Sequence, residues 1–128
     1  MKIMITGASG YFGKLLANRL TQEYPGVEIV GIDIRENDED EDKDMRVVYG
    51  DARKKRIEDI FKLEGKIDVV IHLARESASK SKKTSDELMM TNVYGTFHML
   101  ELAQKYEVGK FIYPSASIVY GARNDNPA

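Results

Sequence analysis

Apolar positions along this chain change period several times, and each change marks a new element. Lys2–Ile5 is a short β-rich run ended by Thr6-Gly7. From Tyr11 to Glu23 the residues Phe12, Leu15, Leu16 and Leu20 recur at helical spacing on one face, and Pro25-Gly26 stops that helix. Val27–Ile34 predicts a buried strand, because Val27, Ile29, Val30 and Ile32 form a near-continuous run. Met45–Tyr49 predicts another strand. Ile57, Ile60 and Phe61 mark a short amphipathic helix, and Ile67–Leu73 is the most apolar strand of the chain. Thr84–Tyr106 predicts one long helix with Met90, Val93, Phe97 and Leu100 facing inward. Gly109 ends it, and Lys110–Tyr113 begins the last strand.

The resulting order is β-α-β-β-α-β-α-β. Strands alternating with helices predict an α/β fold, a doubly wound parallel sheet of about five strands with helices on both faces. The expected strand order is 3-2-1-4-5. A length of 128 residues fits one domain, 1–128, and leaves no room for a second.

Composition narrows the chemistry. A net charge of −2 supplies no field to draw nucleic acid or an anionic membrane, so neither is an expected partner. The chain has no cysteine, which excludes disulfides, thiolate metal sites and cysteine nucleophiles and fits a cytoplasmic protein. No apolar run approaches the ~18 residues of a membrane span. Met1–Ile5 enters a glycine-rich loop too early to be a signal peptide. The acidic run Glu36–Asp44 reads as a solvated loop.

The sharpest local signal is Gly7-x-x-Gly10-x-x-Gly13, set between a strand and a helix. Gly7 permits the tight turn, Gly10 admits a pyrophosphate against backbone, and Gly13 lets the helix pack close to the sheet. The helix N-terminus then offers N–H groups and partial positive charge to the phosphates. Asp33 closes the second strand, 26 residues after Gly7. A carboxylate there can accept both adenosine-ribose hydroxyls and repels a 2′-phosphate, which favours NAD over NADP. Ile34 beside it is a further expected cofactor contact. Arg35, two residues on, keeps dual specificity open.

Several segments together resemble the extended short-chain dehydrogenase/reductase superfamily, the NAD-dependent sugar-nucleotide epimerases and dehydratases. They are Thr6–Gly13, Asp33, Gly50-Asp51-Ala52-Arg53, His72-Leu73-Ala74, Asn92-Val93-Tyr94-Gly95-Thr96 and Ser115–Gly121. The resemblance implies a Rossmann-type domain that binds NAD, with a nucleotide-sugar substrate only in a longer protein. It implies that Tyr11 and Phe12 face the pyrophosphate, that Asp51 bonds the adenine amino group and that Ala52 borders the ring. Leu73, Ala74 and Arg75 would line the nicotinamide-side ribose, although position 75 is often small in the family. Asn92 would brace the central helix near the active site. Pairing of two copies through the long helix is also implied, so a homodimer is a possible assembly.

The chemistry implied by the resemblance needs a Tyr and a Lys one helical turn apart, beyond the last strand. No such pair occurs before Ala128, and no catalytic residue is assigned. Tyr106 and Lys110 have the spacing, but Gly109 breaks the helix between them and both precede the last strand. The family hydroxyl, four residues before the Tyr of Val119-Tyr120-Gly121, falls on Ala116. Ser115 and Ser117 flank it and, in an extended segment, point away from its face. The substrate half is missing too, and the polar stretch Arg123–Ala128 reads as a loop cut mid-course. His72 and His98 lack carboxylate partners at ligand spacing, so no metal is expected. The expectation is the NAD-binding domain of an epimerase/dehydratase-like protein, inactive alone. The alternatives are a non-catalytic NAD(P) sensor or scaffold, a threonine-dehydrogenase-like oxidoreductase, suggested by Asp33-Ile34-Arg35 and Tyr113-Pro114-Ser115, and a fold that binds no cofactor.

Overall fold

The computed structural model describes residues 1–35, 43–77 and 84–121, without the side chains of 117 and 118. Most of the acidic run, 36–42, and the polar stretch 123–128 lie outside the described residues. Five parallel strands, β1 (Lys2–Thr6), β2 (Glu28–Asp33), β3 (Arg46–Tyr49), β4 (Val69–His72) and β5 (Lys110–Ile112), form one sheet in the order β3-β2-β1-β4-β5. Strand order reverses beside β1. Such a switch point opens a crevice at the carboxyl ends of the strands. There Thr6 lies in register with Ile32 of β2 and His72 of β4.

Alternation along β1 sends neighbouring side chains to opposite layers. Ile3 and Ile5 join Ala8, Ala17, Ile29, Met45 and Ile71 under helix α1 (Tyr11–Glu23). Met4 joins Ile32, Val70 and Phe61, with Ile57 and Ile60 of α2 (Ile57–Glu64) and Met99 and Leu102 of α4 (Gly95–Lys105). Burial on both faces explains why these strands carry no polar alternation.

Helix α1 has the expected bounds but not the expected contact face. Gly13 and Ala17 are buried, Leu16 and Leu20 are partly buried, and Phe12 and Leu15 are 71% and 53% exposed. Two small residues bring the helix axis close to the sheet, and Phe12 and Leu15 line the crevice instead.

The long helix needs a larger correction. Its backbone runs through α3 (Ser85–Met89), a π turn (Met90–Tyr94) and α4. Thr84 caps it, its hydroxyl accepting from the Glu87 N–H while the Glu87 carboxylate accepts from Thr84 N–H. Met90, Val93, Phe97 and Leu100 are exposed, and the buried residues are Gly95, Met99, Leu102 and Ala103. The wider π turn rotates everything after it relative to a 3.6-residue count begun at Thr84. The apolar stripe therefore exists, but on the outer side. The stop also lies earlier than Gly109: Glu107 takes φ +51°, and Val108 N–H returns to Ala103 O at 2.9 Å.

Helices α2 and α4 are tied by Glu58, whose carboxylate accepts from Lys105 Nζ at 2.6 Å and from Tyr106 Oη at 2.8 Å. Lys105 first, and then Tyr106, hold the Glu58 carboxyl down at about 2. Asp44, at the end of the acidic run, accepts from Asn18 and Thr21 of α1. Among the described residues no helix is long and apolar enough to cross a membrane.

Candidate functional site

The glycine loop leaves β1 and turns back under β2, with Gly7 N–H and Ala8 N–H both donating to Ile32 O. Gly7 has φ +70°, and a Cβ there would stand 2.9 Å from Ala74 N and Leu73 C. At Gly13 a Cβ would stand 2.4 Å from Ala8 O. Helix α1 starts from Gly10 with no side-chain cap and no acidic residue in its first turn. Its positive end therefore faces the crevice uncompensated by side chains, and the loop has the open backbone that a pyrophosphate needs. The residues present fit a dinucleotide.

The crevice is a cleft of about 1280 Å³, larger than the usual range for small-ligand sites of about 300–1,000 Å³. All the cofactor contacts expected from the sequence line it. Gly7, Gly10, Tyr11, Phe12 and Gly13 form one wall, and Asp33 and Ile34 close the β2 side. Asp51 and Ala52 follow β3, Leu73, Ala74 and Arg75 follow β4, and Asn92 reaches in from the π turn.

Asp33 is 6% exposed, and its two oxygens are fully engaged. Oδ2 accepts from Ser9 N–H at 3.0 Å and from Arg35 Nη2 at 3.4 Å; Oδ1 accepts from Arg35 N–H at 3.0 Å and Nε at 3.2 Å. Asp51 is held in the same fashion by Arg53, with Nε to Oδ1 at 2.8 Å and Nη2 to Oδ2 at 2.7 Å. The Arg53 guanidinium holds the Asp51 carboxyl below its usual range. Ala52 is fixed from behind, because His98 Nδ1–H donates to its carbonyl at 2.8 Å while the ring stacks on Tyr94. Arg75 is exposed at the mouth of the cleft.

Asn92 does not simply brace a helix. Its Nδ2 donates to Glu76 O at 2.9 Å and its Oδ1 accepts from Glu76 N–H at 2.8 Å, so it clamps the segment after β4. His72 ends β4 between two hydroxyls, with Nδ1 at 2.7 Å from Thr6 Oγ1 and Nε2 at 3.1 Å from Thr96 Oγ1. Burial lowers its pKa to about 4, so it is neutral near pH 7. Among the described residues no cluster of three His, Cys, Asp or Glu forms a metal site. Ser9 Oγ is buried without a hydrogen-bond partner among the described residues.

The segment after β5 also enters the cleft. Tyr113, Pro114, Ser115 and Ala116 all line it, and a 3-10 turn over Ser117–Tyr120 follows, closed by Val119 N–H to Ala116 O at 3.1 Å. Ser115 and Ala116 thus reach the same cleft, which strict alternation in an extended strand excluded. Tyr106 stays out of it: desolvation, and then Glu58, push its phenol pKa up, the opposite of an activated acid/base tyrosine. Lys110 begins β5 and shares no helix with it.

Sequence reasoning gives no individual role to Thr6, Thr96, Arg53 or Glu76. A usable signal was present for the first: Thr6 and His72 each end an apolar strand, and adjacent strands of a parallel sheet bring such ends together.

Residues 3–128 match the model of a family described as the NAD dependent epimerase/dehydratase family. The chain is 33% identical over 131 residues to a dTDP-D-glucose 4,6-dehydratase of Dictyostelium discoideum, covering 94% of this chain and 30% of that protein. The structure of MoeE5 in complex with UDP-glucuronic acid and NAD superposes with a TM-score of 0.79 at 26% identity, covering 97% of this chain and 40% of that one. An L-threonine dehydrogenase from Clostridium difficile superposes with a TM-score of 0.77 at 28% identity, covering 91% and 36%. The chain spans less than half the length of each. With its strand order, glycine loop and strand-end acid in place and residues 3–128 matched throughout, the chain belongs to the NAD dependent epimerase/dehydratase family.

Proposed function

We propose that residues 1–128 are the NAD-binding domain of an epimerase/dehydratase-like protein and carry out no hydride transfer alone. The observation that carries this reading is the convergence of the glycine loop, Asp33 and Asp51 on one cleft at the switch point of the sheet. Asp33 takes the adenosine ribose, Asp51 the adenine edge, the loop and Tyr11 the pyrophosphate. The segment after β4 takes the nicotinamide-side ribose. MoeE5 was solved with NAD and a nucleotide sugar together, which supports a nucleotide-sugar substrate for a longer protein that holds this domain. A cytoplasmic setting is part of the same reading. Calorimetric titration with NAD and with NADP tests it. Heat with NAD, and weaker binding of NADP, is the expected result; no heat with either at millimolar ligand overturns it.

Ala116 lines the cleft where the resemblance calls for a hydroxyl, and this favours a second reading, a dinucleotide sensor without catalysis. The likeness to threonine dehydrogenase keeps that oxidoreductase branch beside the sugar-nucleotide one.

We further propose that two copies pair through the outer side of the long helix. Val93 and Phe97 are 55% and 56% exposed, with Met90 and Leu100 beside them, while the inner side of α4 is already buried. A helix apolar on both sides is a buried helix, and among the described residues only one side is covered. Phe97→Asp is expected to turn a sedimenting dimer into a folded monomer with an unchanged circular dichroism spectrum, its thermal midpoint lowered only by the lost association. A wild-type chain that sediments as a monomer at about 100 μM, a level at which even micromolar association saturates, removes this assembly.

A further inference from the structure

His72 is buried, ionisable and unused by any cofactor contact assigned above. One placement of protons satisfies all of its hydrogen-bond partners. Thr6 Oγ1 accepts from Ala74 N–H at 3.2 Å, and donation to His72 Nδ1 at 2.7 Å gives its own proton an acceptor. The ring proton then sits on Nε2 and is donated to Thr96 Oγ1 at 3.1 Å, and the Thr96 proton goes to Asn92 O at 2.8 Å. With the proton on Nδ1 instead, Nε2 would need the single Thr96 proton that Asn92 O already takes. The Thr6 hydroxyl would also lose its acceptor, and unsatisfied buried groups of this kind are costly.

These bonds return to where they start. The path leaves the backbone at Ala74 N–H, crosses β1, β4 and α4, and reaches Asn92, whose side chain holds both N–H and C=O of Glu76. Ala74 and Glu76 flank Arg75 in the cleft wall. A phenylalanine at position 72 could fill the space beside Tyr113 and Phe111, which stand 5.8 and 6.0 Å away, but it would break the ring of bonds at its centre.

We propose that His72, as the neutral Nε2–H tautomer, is a positioning residue that fixes the Ala74–Glu76 backbone at the nicotinamide half of the site. The proposal rests on the dinucleotide reading above. It separates the two halves of the ligand, because Asp33, Asp51 and the glycine loop read the adenosine diphosphate half without this ring of bonds.

The test compares NAD with ADP on the full chain. Thr96→Val removes the hydroxyl that receives the His72 proton, and Thr96→Ser keeps it. Thr96→Val should raise the Kd for NAD roughly tenfold, the scale of one buried hydrogen bond, and leave that for ADP within about twofold. Thr96→Ser should restore NAD binding. Ring nitrogen NMR of the wild-type chain should show His72 Nε2 protonated and Nδ1 bare. Equal weakening of NAD and ADP, no weakening of either, or an Nδ1–H tautomer would each overturn the proposal while NAD still binds the wild type. A wild-type chain that binds neither ligand overturns the dinucleotide reading, and this proposal with it.

Discussion

Replacing Gly13 with alanine is expected to cost about 3 kcal/mol of stability, the upper part of the range for overpacking a close contact, and to abolish measurable NAD binding. The new Cβ would lie 2.4 Å from Ala8 O and 2.7 Å from Ala8 C and Cα. All three are backbone atoms, so no side chain can rotate away. Relief requires α1 to lift from the loop, and α1 is seated there by Gly13 against Ala8 and by Ala17 in the layer of Ile3, Ile5 and Ile29. Lifting it opens that layer and withdraws the helix N-terminus from the place where a pyrophosphate would sit. For a domain of this size the loss corresponds to a thermal midpoint lower by roughly 10–15 °C. Gly26→Ala supplies the contrast. Gly26 has φ +82° but nothing within 4 Å of a new Cβ. It should therefore cost only the left-handed backbone penalty of about 1–2 kcal/mol and leave NAD affinity unchanged. Thermal melting followed by circular dichroism, with NAD titration of each folded variant, separates the two. A Gly13→Ala chain that melts and binds like wild type would show that loop and helix are not in contact as described.

That glycine was legible in the sequence because its motif couples a conformation to a packing distance. The parallel order β3-β2-β1-β4-β5 was legible for a related reason. Continuous apolar strands such as Val69–His72 need cover on both faces, and only crossover helices supply it. The outward stripe Met90, Val93, Phe97 and Leu100 was misassigned to the inside. Periodicity shows that a stripe exists but not which way it faces, and the π turn at Met90–Tyr94 shifts the phase part-way along. The buried stripe, Gly95, Met99, Leu102 and Ala103, is equally periodic and less hydrophobic, so counting apolar residues selects the wrong one. In α1 the same preference for large residues hid the contact made by Ala17. The polar partners of the site were the least legible. His72, Thr6 and Thr96 meet only because β1, β4 and α4 do, and the pairing of Asp51 with Arg53 depends on a turn that residue types alone do not specify.

Asp33→Ala should weaken NAD binding by roughly 1–3 kcal/mol, or about five- to 150-fold in Kd, if the carboxylate accepts the ribose hydroxyls. The structure adds a competitor to that expectation. A carboxylate has about four acceptor positions, and in Asp33 they are taken by Ser9 N–H and by three donors of Arg35. The Arg35 side chain is 63% exposed, so it can swing into solvent at little cost, whereas the two backbone donors cannot move. On that reading ribose hydroxyls would replace the guanidinium and leave the backbone bonds in place. Arg35→Ala then acts in the opposite direction to Asp33→Ala: it frees the acceptor positions and should tighten NAD by a few-fold, within the ~0–1 kcal/mol of an exposed ion pair. Calorimetry on both single variants and the double variant reads the coupling directly. Arg35→Ala should lose its benefit when Asp33 is already alanine, because the carboxylate it uncovers is gone. If Arg35→Ala instead weakens NAD as strongly as Asp33→Ala does, the guanidinium is itself a ligand contact, and the ribose is held by the pair rather than by Asp33 alone.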